Sequence, residues 1–175
     1  MEDLRYPIGK FVFEGMSSQQ REQWINELEQ LPRLLKDAVT GLSNEQLNTP
    51  YRTGGWTIRQ LVHHLADASM NGFTRFKLAL TENNPTIKPF NPDSWASLTD
   101  GANASISPSL LMVEGIYVRW VQLLRSMQAA DFTKQFYHPE RGSQIRLSYF
   151  LGFSAWHVMH HLAQINNAKL RKNWN

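Results

Sequence analysis

Apolar residues recur at spacings of three and four over four long stretches of the chain, the period that keeps one face of an α-helix hydrophobic. The first stretch runs from about Ser17 to Thr40, where Trp24, Ile25, Leu28, Leu31, Leu35 and Val39 form the stripe. Ser17 and Gln20 stand at capping-box spacing at its start. Pro32 falls inside this stretch, lacks a backbone donor, and predicts a kink or a restart of the helix. The second stretch has the clearest start: Thr57 can cap, Gln60 can reach back to it, and Trp56 can staple onto Leu61. Its stripe continues through Ile58, Leu61, Val62, Leu65, Phe73, Phe76 and Leu80, until Asn83, Asn84 and Pro85 end it. A third helix opens with Ser107 as cap and Pro108 at the first helical position, and runs to about Met127. The fourth occupies about Ser148 to Lys169.

The chain between these stretches is irregular. From Pro85 to Ser107 lies a long connection with Pro85, Pro89, Pro92 and Gly101, of a length that in compact domains is usually functional or mobile. Residues 132–147 read as a short β-hairpin, with Phe132, Phe136, Tyr137, Ile145 and Leu147 flanking Pro139-Glu140-Arg141-Gly142. The predicted fold is therefore all-α, a four-helix bundle in a single domain over residues 1–175, with a β-hairpin before the last helix. The long second-to-third connection allows topologies beyond simple up-and-down.

Composition narrows the class. At 175 residues, with nine Phe, six Trp and five Tyr, the chain holds ample core material for one domain. The absence of cysteine excludes a disulfide scaffold, a thiolate zinc site and a cysteine nucleophile. Lys and Arg number 18 against 15 Asp and Glu, a formal charge of +3 that the pI of 9.3 overstates. The densest basic cluster, Lys169, Arg171 and Lys172, is placed to close a helix against its dipole, so no nucleic-acid partner is expected. Glu2, Asp3, Arg5 and Lys10 leave no room for an apolar signal segment. Leu147 to Ala168 lacks Asp, Glu, Lys and Arg, yet three histidines, Gln164, Asn166 and Asn167 are costly in hydrocarbon. It reads as the most buried helix of a soluble cytoplasmic protein, not as a membrane span.

Candidate chemistry rests on the histidines: His63, His64, His138, His157, His160 and His161. Residues four apart differ by about 40° around a helix axis, so His157 and His161 stack on one face, in line with Phe150, Ser154, Gln164, Ile165 and Ala168. Two such imidazoles can share one tetrahedral metal with nitrogens about 2.0–2.1 Å from it. His160 points about 100° away from His161. The competing reading is structural: buried rings bonded to main chain or to one another. A zincin protease needs Glu directly after the first histidine, and Val158 stands there. A ferritin-like di-iron site needs Glu three residues before His on two helices, and no Glu has that offset. No Gly-x-Ser-x-Gly turn occurs. What remains is a mononuclear site of His157 and His161 with a further ligand from the second helix, His63 or His64, periodicity leaning weakly to His64.

Two motifs sharpen this. His64-Leu65-Ala66-Asp67, following Trp56-Thr57-Ile58, and His157-Val158-Met159-His160-His161-Leu162-Ala163-Gln164-Ile165 together resemble the paired motifs of the DinB/YfiT-like superfamily. The resemblance spans nearly the whole chain, helix order and hairpin included. It implies a three-histidine metal centre of His64, His157 and His161, holding one divalent ion per chain, zinc or nickel. It leaves His63 and His160 outside the ligand set and makes Asp67 and Gln164 candidates for groups that support the ligands. It implies an enzyme that activates either a low-molecular-weight thiol (bacillithiol) for transfer to an electrophile, or a water for hydrolysis. It also implies a homodimer. A non-enzymatic helical interaction module with structural histidines is the third reading.

Overall fold

The computed structural model describes residues 4–174. Four long helices, α1 (Ser18–Val39), α3 (Ile58–Thr81), α6 (Ser107–Ser126) and α7 (Leu147–Arg171), enclose one core. Between them lie three short α-helices, α2 (Asn44–Leu47), α4 (Pro92–Ala96) and α5 (Thr99–Asn103), two short 3-10 helices at Ala129–Thr133 and Pro139–Arg141, and a two-stranded antiparallel hairpin of β1 (Gln135–His138) and β2 (Ser143–Arg146). Ser17 and Thr57 cap α1 and α3 through complete capping boxes with Gln20 and Gln60.

Two local expectations change. α1 runs unbroken through Pro32, so the helix does not restart there: Leu28, Leu31 and Leu35 on the same helix are fully buried and hold it on the core. Ser107 is inside α6 rather than capping it: Ile106 precedes the helix, and Ser105 Oγ accepts the Ser107 backbone N–H at 3.3 Å. The Pro85–Ser107 connection is not featureless, since it contains α4 and α5, both packed on α3.

Around the bundle α1 touches α6 and α7, and α3 touches the same two helices from the other side. Helices consecutive among the long ones, α1 with α3 and α6 with α7, thus sit across diagonals. This order needs the long connections the sequence provides, and it makes α3 and α7 neighbours, which decides where the site forms. Arg59, although buried, is satisfied by Asn44 Oδ1, Asn48 Oδ1 and the Ala104 carbonyl, so its charge ties α2 and the end of α5 to α3. The hairpin is anchored through fully buried Phe136 and through the chain after α3, where the Tyr137 N–H donates to the Pro85 carbonyl and the Ile87 N–H to the Tyr137 carbonyl. Among the described residues no helix is long and apolar enough to cross a membrane.

Candidate metal centre

α3 and α7 each carry a pair of adjacent histidines, and the α3–α7 interface sorts them. His64 from α3 and His157 and His161 from α7 turn their Nε2 atoms toward one point: His64 to His157 is 3.2 Å and His161 to His157 is 3.1 Å. The rings are edge-on to one another, at interplanar angles of 69° to 87°. His63 turns the other way. Its Nε2–H donates to the Ala104 carbonyl and its Nδ1 accepts from Ser109 Oγ at 2.7 Å, so it bolts α3 to α6. His138 lies on the hairpin, away from the trio.

His161 is held by a chain of hydrogen bonds. Gln164 Nε2 donates to the Arg5 carbonyl at 2.9 Å and to His160 Nε2 at 2.9 Å, which orients the amide. Gln164 Oε1 therefore faces His161 Nδ1 at 2.8 Å and accepts its proton. A neutral imidazole protonated at Nδ1 presents a bare lone pair at Nε2, so His161 is locked in the tautomer that can ligate. Ring packing holds the others: Trp56 lies over His64 at 4.7 Å, and Phe153 stacks on His157 at 5.7 Å. Asp67 does not join this support. Its carboxyl hydrogen-bonds to none of the three rings, and burial, followed by the nearby Asp100 charge, raises its pKa to about 6.

Burial pushes the pKa of all three imidazoles well below the usual 6.5, and each is pushed further by a neighbouring histidine, so the trio is neutral at pH 7. His157 Nε2 then faces the other two Nε2 atoms across 3.1–3.2 Å, and all three lie within 4.8 Å of one another. Hydrogen bonding relieves this poorly: His161 Nε2 carries no proton, and a single proton on His157 Nε2 points at one neighbour only. A cation relieves all of it. Nitrogens bound tetrahedrally at 2.0–2.1 Å stand about 3.3 Å apart, close to the separations found. Among the described residues His64, His157 and His161 form the group of His, Asp or Glu side chains whose ligating atoms lie within 4.8 Å of one another. The donor set fits a divalent transition metal.

Two cavities meet at the trio. One, of about 460 Å³, is lined by His64, His157 and His161 with Trp56, Arg52 and Asp93, the last accepting from Trp56 Nε1 at 3.0 Å. The other, of about 220 Å³, runs from His64 and His157 between α3 and α7 toward the hairpin. Phe90 from the proline-rich connection and Arg141 from the hairpin line this second cavity, and Trp95 packs against Phe90 at 4.7 Å. Sequence reasoning had no means of finding Arg75, which joins them from α3.

Comparison with known proteins agrees with this geometry. A profile of the DinB superfamily matches residues 27–165. A Bacillus mycoides (strain KBAB4) protein named as a proposed metal-dependent hydrolase is 47% identical over 175 residues, covering 99% of this chain and 100% of its own. An Oceanobacillus iheyensis protein of the same description is 50% identical over 171 residues, covering 97% and 98%. The structure of YfiT from Bacillus subtilis, described as a probable metal-dependent hydrolase with an unusual four-helix bundle topology, superposes with a TM-score of 0.95 at 44% identity, over 99% of each chain. The chain belongs to the DinB superfamily.

Proposed function

We propose that this chain is a metal-dependent enzyme in which His64, His157 and His161 hold one divalent ion, zinc or nickel, and that it passes a low-molecular-weight thiol such as bacillithiol to an electrophile. The observation that carries the reading is the convergence of three neutral Nε2 atoms on one point. When bound, such an ion supplies a nucleophile at neutral pH, by deprotonating a captured thiol outright or by lowering the pKa of a water to about 7. The chain's own groups do the remainder. Gln164 fixes the His161 tautomer, while Trp56 and Phe153 hold the other two rings. The two cavities give separate approaches for two reactants.

The small number of carboxylates near the trio supports the thiol reading. Asp93 is the carboxylate lining the larger cavity among the described residues, and one of its oxygens, Oδ1, accepts from Trp56 Nε1. A hydrolytic water profits from a positioned base, whereas a thiol captured as thiolate needs none. Hydrolysis is the second reading, and the descriptions of the relatives favour it. The two separate in one assay on untagged protein loaded with zinc or nickel. Consumption of an alkylating electrophile such as monochlorobimane should require both metal and a small thiol, and should vanish in His157→Ala. Ester or amide cleavage that is indifferent to thiol would establish hydrolysis instead. Silence in both arms with metal bound would remove the enzymatic reading.

A further inference from the structure

We propose that the 220 Å³ cavity is an anion-reading subsite in which Arg75 and Arg141, beside His138, take a carboxylate or phosphate group of the substrate while its reacting atom lies at the histidine trio. The inference rests on the reading of that trio as the reaction centre and adds the substrate class.

The helix faces align the two ends. His64, Ala68, Gly72 and Arg75 lie on one face of α3 at spacings of four, four and three, and all four line the cavity. Helical side chains lean toward the N-terminus of their helix, so Arg75 leans back toward His64. Across the cavity α7 presents Phe150, Phe153 and His157. Arg75 lies over the Phe150 ring at 5.8 Å and Arg141 over the Phe153 ring at 5.4 Å. Phe153 in turn stacks on His157 at 5.7 Å, so two stacking steps separate the Arg141 guanidinium from a ring of the trio. Gly142, in the left-handed region at φ 60°, closes the hairpin turn that brings Arg141 there.

The cations have no counter-charge of their own. Neither guanidinium makes an ion pair or a hydrogen bond among the described residues, and no Asp or Glu lines the cavity. Glu140, exposed on the hairpin turn, is felt by Arg75 and His138 at a distance without pairing with either arginine. Arg75 is half-buried. Burial, then the Arg141 charge, pulls its pKa down, so the two guanidiniums repel one another. His138 Nδ1 is buried with no hydrogen-bond partner. Two rigid donor forks held on aromatic faces are suited to bidentate capture of a carboxylate or phosphate. The intervening aromatic walls then select a compact apolar body, since the volume equals only about seven waters at ~30 Å³ each.

The test is calorimetric titration of the full chain with benzoate, phenylphosphonate and neutral benzamide, before and after chelation of metal. One or both anions should bind the chelated protein at least tenfold more tightly than benzamide, and the tighter of the two identifies the group that is read. Arg141→Gln, an exposed position, and Arg75→Gln should each weaken that binding about tenfold or more, with Arg75→Lys recovering part of it. Circular dichroism melts verify that each variant is folded. Benzamide binding as tightly as the anions, no anion binding, or undiminished binding in folded Arg141→Gln would overturn the proposal. Because the chelated protein is used, a failed metal centre leaves this result readable, and a failed subsite leaves the metal centre intact.

Discussion

His63 and His64 differ by one position, and that position decides their roles. A step of about 100° around α3 sends His63 to Ser109 on α6 and His64 to the trio with α7. Spacing within α7 was enough to pair His157 with His161 and set His160 apart. Local periodicity leaned only weakly to His64 over His63, because the choice depends on which helix lies on which side of α3. Gln164 was legible as a neighbour of His161 but not as an amide oriented by the distant Arg5 carbonyl. Its removal should be felt at the metal: Gln164→Leu should weaken zinc affinity about 10–100-fold by competition titration, and Gln164→Glu, which keeps the acceptor, should lose less. Equal affinity in all three proteins would show that the hydrogen bond is incidental.

The histidines also set a pH dependence. All six have pKa values lowered, with burial the first cause in each. The unfolded chain takes up protons near pH 6.5 while the folded chain resists until lower pH, so the unfolded state binds more protons in between. Stability is therefore full above about pH 6.5 and declines as the pH falls through the lowered folded values. The melting temperature of chelated protein should drop between pH 7.5 and 5, and His64→Asn should flatten that slope. A melting temperature constant over this range would contradict the burial described.

Element boundaries were largely legible because two of the four long helices carry their signals locally, as periodic stripes with caps at Ser17 and Thr57. The hairpin announced itself by Pro139-Glu140-Arg141-Gly142. Pro32 does not restart α1, since its neighbours Leu28, Leu31 and Leu35 are buried on the core, and Ser107 was misread because Ser105 supplies the acceptor. Gly72 shows what the pattern conceals. A Cβ there would stand 2.6 Å from Trp120 Cη2, and that ring is wedged against Phe73, Phe76 and Tyr117. Gly72→Ala should cost about 1–3 kcal/mol in denaturant unfolding, through overpacking between α3 and α6. An unchanged midpoint would mean that the ring moves freely.

For the whole molecule, the diagonal placement of consecutive long helices could not be read from the chain, since the connections permit more than one order. It matters because it makes α3 and α7 neighbours, and with them one histidine of the first motif and two of the second. It also brings Arg75 and Arg141 to one cavity although 66 positions separate them. The most direct test of the account is X-ray absorption on untagged protein carrying zinc, with the metal content measured alongside. The account predicts one ion per chain with three imidazole nitrogens at about 2.0–2.1 Å, and loss of the ion in His161→Ala. Zinc bound equally by His161→Ala, or a coordination shell without three imidazoles, would contradict it.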